Sequence, residues 1–133
     1  MHDPTAALQA ALVQRLKTNV GRVAARVYDR VTPNAAFPYL QFGASQVTPD
    51  GAQCFDLATC HITLHVWSRE VGAVEARRIS DDVLQALDDW TPDLSVNGFV
   101  CDDLRITSSQ IMADPDGVTS HGVIQIEAQT ERQ

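Results

Sequence analysis

The sequence predicts an α+β fold, in which two amphipathic helices pack on one face of a mainly antiparallel β-sheet. Two segments, near residues 4–19 and 73–89, repeat apolar residues at intervals of three to four. The segments between and after them alternate apolar and polar residues and are separated by turn signals. The order helix, strands, helix, strands is typical of helices gathered on one side of an antiparallel sheet. A length of 133 residues suits one domain spanning residues 1–133.

The first helix is predicted over residues 4–19. Asp3 is a good N-cap, and proline is favoured where Pro4 stands, at the first helical position. Asn19 and Gly21 are suitable stop residues. The face directed at the core is formed by Leu8, Leu12, Val13 and Leu16.

A β-hairpin is predicted to follow. The segment from Val23 to Tyr28 favours a short strand, and residues 32–37 form a loop. Pro38 opens a second strand over 39–47, which "TPDG" (Thr48–Gly51) joins to a third strand over 53–67.

The remaining elements are a helix over 73–89, ended by Thr91-Pro92, and two further strands. "LSVNGFVC" contains an Asn-Gly turn signal, "LRITSSQIM" alternates loosely, and "ADPDG" forms a turn. "VIQIEAQ" alternates cleanly, which places Ile124, Ile126 and Ala128 on one face.

Composition excludes several classes of function. The net charge is −7, and the ten Lys and Arg are dispersed among seventeen Asp and Glu, so a protein that grips nucleic acid is not expected. The longest apolar run is shorter than a membrane span, and we expect no secretory signal. The three cysteines, Cys54, Cys60 and Cys101, are therefore expected to remain buried thiols.

The stretch "CHITLHVWSRE" concentrates residues that could bind a metal or catalyse a reaction. In a strand, however, Cys60, Ile62, Leu64 and Val66 face one side, and His61, Thr63, His65 and Trp67 face the other. The two histidines then lie about 13 Å apart, too far to share one ion, and Cys60 diverges from His61. We therefore predict a strand without a catalytic residue or a metal.

Other candidate sites also favour structural interpretations. Trp67 on a polar strand face needs cover, which either a loop or a neighbouring subunit could supply. The carboxylates of the second helix are typical of a solvated face, and "DPDG" lacks the further ligands of a calcium loop. Nucleophile, phosphate-loop and zinc motifs are missing, so no catalytic residue, metal or cofactor is predicted.

Several stretches in order carry a resemblance to a known family: "VYDRVTPNAAFPYLQFG" (Val27–Gly43), "HITLHVWSRE", the helix ending in "LDDW", and a final β segment. Together they resemble the tail terminator or tail completion proteins of long-tailed phages and of phage-derived gene transfer particles. The resemblance implies a structural virion protein rather than an enzyme. It implies a ring, generally hexameric, that caps the tail tube, ends its polymerisation and joins the tail to the head or neck.

The partners implied are further copies of the chain, the tail-tube protein and a head or neck completion protein. The protein would lie at the tail–neck junction of the virion, after assembly in the host cytoplasm, and an acidic lumen would let DNA pass without adhering. Interface residues are expected at Phe37, Tyr39 and Trp67 and at the turn Pro49, Asp50 and Gly51. Alternatives are a neck or head-completion connector and a small-ligand binding module; a hydrolase is disfavoured.

Overall fold

The computed structural model describes residues 2–51 and 56–133 and confirms the α+β prediction. Within the described residues, five strands form one sheet in the order β1-β2-β3-β5-β4, in which the β1–β2 pair is parallel and the other pairs are antiparallel. The elements are α1 (Thr5–Asn19), β1 (Val27–Tyr28), β2 (Tyr39–Pro49), β3 (Leu57–Ser68), α2 (Val74–Leu87), β4 (Phe99–Ala113) and β5 (Ser120–Arg132).

Helix α1 matches its predicted extent to within one residue. The N-cap is Pro4 rather than the predicted Asp3, and Thr5 is the first helical residue. The Asp3 carboxylate, one residue before the N-cap, accepts hydrogen bonds from the Thr5 backbone N–H at 2.8 Å and from the Thr5 hydroxyl at 2.6 Å. These bonds lower the pKa of Asp3. Leu8, Leu12 and Leu16 are fully buried and place α1 against the sheet.

The core lies between the helices and one face of the sheet, which we call the inner face. The predicted alternation of β3 is confirmed, since Ala58, Cys60, Ile62, Leu64 and Val66 are all buried. Side by side with them lie the three predicted inner residues of β5, paired as Cys60–Ala128, Ile62–Ile126 and Leu64–Ile124. Helix α2 covers this layer with Ile79, Val83 and Leu87. Burying each large aliphatic side chain contributes about 1.5–3 kcal/mol.

The segment after α1 differs from its prediction. Residues Gly21–Val23 form a 3-10 turn, and the strand shrinks to Val27–Tyr28. Ala24 and Ala25 have φ values of 49° and 64°, a left-handed backbone that cannot belong to a strand.

Several element boundaries also differ. Strand β2 extends to Pro49, two residues beyond its predicted end, so Thr48 and Pro49 pair in the ladder and are not part of the predicted turn. Strand β3 begins at Leu57, and the start predicted at residue 53 lies outside the described residues. Helix α2 ends two residues earlier than predicted because Asp88 is extended and Asp89 has φ +49°. The Asn-Gly signal is used differently: Gly98, with φ +81°, ends the 3-10 turn Ser95–Asn97 and leads directly into β4.

The turn predicted at "DPDG" is confirmed as the connection between β4 and β5. The Asp116 carboxylate accepts hydrogen bonds from the backbone N–H groups of Val118 and Thr119, each at 2.8 Å, and from the Thr119 hydroxyl at 2.6 Å. The three donors lower the pKa of Asp116 to about 2. Both oxygens of this carboxylate therefore already accept hydrogen bonds within the turn, whereas a calcium loop would need them as ligands.

Candidate interaction surface

The sheet face opposite the helices, which we call the outer face, carries the residues that sequence analysis singled out. Neither described helix covers it, and neither is long and apolar enough to cross a bilayer. Along β3 this face presents Thr59, His61, Thr63, His65 and Trp67, as the alternation predicts. All except His61 are partly buried, because side chains on the neighbouring strands shield them from solvent.

A cluster of four side chains occupies the centre of this face; we call Trp67, His121, His65 and Gln41 the tryptophan cluster. The indole of Trp67 stacks on the imidazole of His121, with ring centroids 3.9 Å apart and planes 4° from parallel. Its Nε1–H donates to Gln41 Oε1 at 3.1 Å. The two histidines stack at 4.9 Å and share a hydrogen bond of 2.7 Å between His65 Nδ1 and His121 Nε2.

The strand register creates this cluster. Trp67 pairs directly with His121 on β5, and Gln41 on β2 pairs with His65. Gly43 leaves the space that the His65 ring occupies, because a Cβ at this position would overlap His65 Nε2. Directly opposed side chains on one face of a sheet interact by about 0.2–1 kcal/mol per pair, so the register brings these four groups into mutual contact.

The two imidazoles are neutral near pH 7. Partial burial lowers the pKa of His65. Burial, together with the repulsion that a protonated His65 would exert, lowers the pKa of His121. One ring nitrogen must donate and the other accept, so the bond persists only while one of the two histidines is neutral.

Among the described residues, this histidine pair is not part of a larger cluster of ligating side chains. Within residues 2–51 and 56–133, no three His, Cys, Asp or Glu side chains lie close enough to hold a metal ion together. Cys60 is buried on the inner face, where burial raises the pKa of its thiol, so it faces away from both histidines. The two nitrogens that approach each other are occupied by their mutual hydrogen bond.

The predicted residues Phe37 and Tyr39 meet at one corner of the outer face. Their ring centroids are 4.9 Å apart, and the guanidinium of Arg69 lies 4.4 Å above the Phe37 ring. Tyr39 also contacts Tyr28 at 5.7 Å and pairs with Trp67 across the β2–β3 ladder. Tyr39 is only 9% exposed, so Phe37 and Trp67 present more of this corner to solvent. The same burial raises the pKa of Tyr39.

The other predicted residues are distant from this corner. Pro49, Asp50 and Gly51 are exposed at the far end of β2, ten residues from Tyr39, or about 30 Å along an extended strand. Asp50 accepts a hydrogen bond from Thr59 Oγ1 at 2.9 Å, and Gly51 has φ +73°. The projecting loop predicted here continues into residues 52–55, including Cys54, which lie outside the described residues.

Sequence reasoning missed Gln41, Gly43 and His121. His121 lies on the outer face, and its neighbour Ser120 is buried on the inner face. The alternation of Ile124 and Ile126 already placed His121 on the outer face. The missing information was the pairing of β5 with β3, which a single sequence does not contain.

Comparison with known proteins identifies the family. A family model described as tail completion protein gp17 matches residues 6–131. The tail completion protein gp17 of Bacillus phage SPP1 is 30% identical over 122 residues, covering 90% of this chain and 89% of the relative. The solved structure of bacteriophage SPP1 gp17 is 28% identical, with a TM-score of 0.62, and the match covers 93% of this chain and 88% of that one.

A second solved structure has a closely similar fold. A chain in the virion of a native gene transfer agent particle has a TM-score of 0.83, 21% identity, and coverage of 98% of this chain and 99% of that one. The family matches agree with the resemblance carried by Val27–Gly43 and by the strand ending at Trp67 and Ser68. The chain belongs to the tail completion protein gp17 family of phage virion proteins.

Proposed function

We propose that this tail completion protein forms a ring, most simply a hexamer, on the last ring of tail-tube subunits. There it ends tube polymerisation and presents a surface to a head or neck completion protein. The observation that carries the proposal is the family match over residues 6–131. The related protein from phage SPP1 is named for tail completion, and a chain of the same fold is part of a gene transfer agent virion.

The proposal assigns the protein a structural role without catalysis. The histidines of the tryptophan cluster bond to each other, and the Cys60 thiol is held in the core. The net charge of −7 suits a lumen through which DNA passes without adhering, because like charges repel. In this proposal the whole chain is one domain that acts by providing binding surfaces and catalyses no reaction.

The proposed contact with a neighbouring subunit or the tube uses the corner formed by Phe37, Tyr39 and Trp67. Aromatic residues are enriched in the centres of protein interfaces. Here they are already ordered by stacking and by the Trp67–Gln41 hydrogen bond, so binding would cost little side-chain entropy. The exposed residues Pro49, Asp50 and Gly51, where β2 ends, are proposed as a second contact with the tube.

Negative-stain microscopy of the purified protein, alone and mixed with tail tubes, tests the proposal. We expect rings at tube ends and a narrower distribution of tube lengths. Binding to isolated head–neck complexes without any effect on tubes would instead identify a neck or head-completion connector.

A matched pair of tryptophan variants tests the interface. Trp67→Ala should weaken ring formation by roughly tenfold or more, the effect of losing about 1.4 kcal/mol at an aromatic contact. Trp90→Ala is the control, because Trp90 packs against the core and under Arg15, 5.2 Å from its ring, away from the outer face. Equal assembly of both variants in light scattering would refute the role of Trp67.

A further inference from the structure

The sheet has two open edges on opposite sides. Strand β4 pairs with β5 on one side, and no described strand pairs with its other side. Strand β2 is covered by β1 only at Leu40 and Gln41, which leaves residues 42–49 unpaired by any described strand on that side. Each edge therefore presents backbone N–H and C=O groups that another strand could pair with.

Both edges have stretches without a charged residue. Residues 42–49 read FGASQVTP and residues 106–113 read ITSSQIMA, in a chain with 27 charged residues among 133. Natural sheets commonly protect open edges with charged side chains, especially lysine, or with proline. Neither stretch has a charge, and the single proline, Pro49, stands at the last position of the first stretch. Each stretch has one bulge at its start, between Phe42 and Ser45 and between Ile106 and Ser108. The regular parts, 45–49 and 108–113, are therefore of nearly equal length.

We propose that the edge of β2 at residues 45–49 pairs with the edge of β4 at residues 108–113 of a second copy of this chain. The inference rests on the proposed ring and names the contact that closes it. A second copy is the occupant because one molecule supplies both complementary edges, which gives the head-to-tail contact that a cyclic ring needs. The net charge of −7 opposes contacts between copies at other, acidic surfaces.

The strand directions suit this junction. Every pair from β2 through β3 and β5 to β4 is antiparallel, so β2 and β4 run in opposite directions. A neighbour related by rotation about an axis within about 45° of the strand direction keeps the sense, up or down along that axis, of each strand. Its β2 therefore lies antiparallel to β4 of the first copy, and the ladder continues in the same pattern.

The positions of the two stretches also fit a closed ring. Following the paired residues across the sheet, from β2 through β3 and β5 to β4, shows that Val47 is in register with Leu104. Residues 108–113 are in register with the beginning of β2, where pairing with β1 occupies the edge. Pairing 45–49 of one copy with 108–113 of the next therefore shifts each copy relative to its neighbour by about six residues, or about 20 Å, along the strands. The four long strands of one copy span about 19 Å across the sheet. That stagger corresponds to a tilt of about 45°, at the upper end of the range of about 35–45° found when sheets close into cylinders.

Amide hydrogen exchange on the unmodified protein tests the junction. In the dissociated chain, edge-facing amides in 45–48 and 108–113 should exchange rapidly, and in the assembled ring they should exchange at least about tenfold more slowly. Central β5 amides at Ile124 and Ile126 are the internal control and should be protected in both states. A ring whose edge amides exchange as in the free chain overturns the junction and leaves the proposed ring intact.

The remaining outcomes are equally decisive. Protection of one edge only, or protection that requires tail tubes, would assign the edge to a different partner and overturn pairing between copies. Failure to form any ring, with or without tubes, would overturn the proposed function and the junction together.

Two adjacent proline variants give an independent test. Ser109 and Gln110 are both exposed on β4, and neighbouring residues in a strand direct their N–H groups to opposite sides. Of Ser109→Pro and Gln110→Pro, the one whose N–H faces the open edge should keep the parent's unfolding temperature, because edge strands tolerate proline there. That variant should form rings at least about tenfold more weakly. Ring formation at the parental concentration would overturn the pairing.

Discussion

Gly122 lies where β3, β4 and α2 converge, and its replacement by alanine should destabilise the protein measurably. An added Cβ would lie 3.0 Å from Val66 Cβ, 3.1 Å from Ile111 Cδ1 and 3.1 Å from Ser80 Oγ. Unstrained carbon contacts are about 3.5–4.0 Å, so three neighbours on three different elements must each shift by several tenths of an ångström. Overpacking of this kind costs about 1–3 kcal/mol.

The alanine also restricts the unfolded chain, which offsets about 0.4–1 kcal/mol of that loss. The net expectation for Gly122→Ala is a loss of about 1–2 kcal/mol, or about 4–8 °C in the unfolding temperature of a chain of this length. Thermal and urea unfolding followed by circular dichroism measures it. Gly21→Ala is the control, because a Cβ there meets no described atom within 4 Å, and it should unfold at or slightly above the parent temperature.

Ser80 provides a second-site test of the same geometry. Its hydroxyl is buried and has no hydrogen-bond partner among the described residues, so Ser80→Ala should stabilise the protein by about 1 kcal/mol. It also removes one of the three close contacts at residue 122. In the double variant, Gly122→Ala should therefore cost at least about 0.5 kcal/mol less than it does alone. Strict additivity, or a Gly122→Ala variant as stable as the parent, would refute the packing argument.

Three further predictions concern titratable groups. Since burial lowers the pKa of His65 and His121, the unfolded chain binds more protons, and stability should fall as pH drops below about 6.5; His121→Gln should flatten that dependence in unfolding titrations. The pKa of Asp116 is lowered to about 2, so its contribution is complete above pH 4 and lost toward pH 2; Asp116→Asn should unfold at a lower temperature at pH 7, with the difference vanishing near pH 2. Burial raises the pKa of Cys101 to about 11, so peptide mapping should show that iodoacetamide modifies it at least about 100-fold more slowly in the folded protein than in urea at pH 8; equal rates would contradict this burial.

The sequence predicted the elements whose periodicity is set by a single buried face. Helix α1 and strands β3 and β5 were predicted because Leu8, Leu12, Leu16 and the alternating residues around Ile62 and Ile126 all contact one core. The prediction of a strand through Ala24 and Ala25 was wrong because the left-handed backbone there is imposed by the connection between α1 and β1, not by residue type. Alanine has no intrinsic preference for that conformation.

The interaction surface was only partly predictable for a related reason. Trp67 was identifiable as a large aromatic residue on a polar strand face, but its stacking partner is 54 positions away on β5. The Trp67–His121 pair and the Gly43–His65 approach depend on register between strands distant in sequence. A register is a property of the assembled sheet, and shifting it by one residue would reverse every face.

The distribution of charge connects the outer face to the two edges. The described ion pairs are at the surface, such as Arg22 with Asp82 at 2.8 Å and Arg105 with Glu127 at 3.3 Å. Asp82 pairs with Arg22 rather than with a helix neighbour such as Arg78, so this carboxylate of α2 is engaged within its own chain. Exposed pairs of this kind contribute about 0–1 kcal/mol, and copies that carry a net charge of −7 repel one another. Association of identical copies is therefore favoured where charge is absent, and the edge stretches 42–49 and 106–113 and the tryptophan cluster have none at neutral pH.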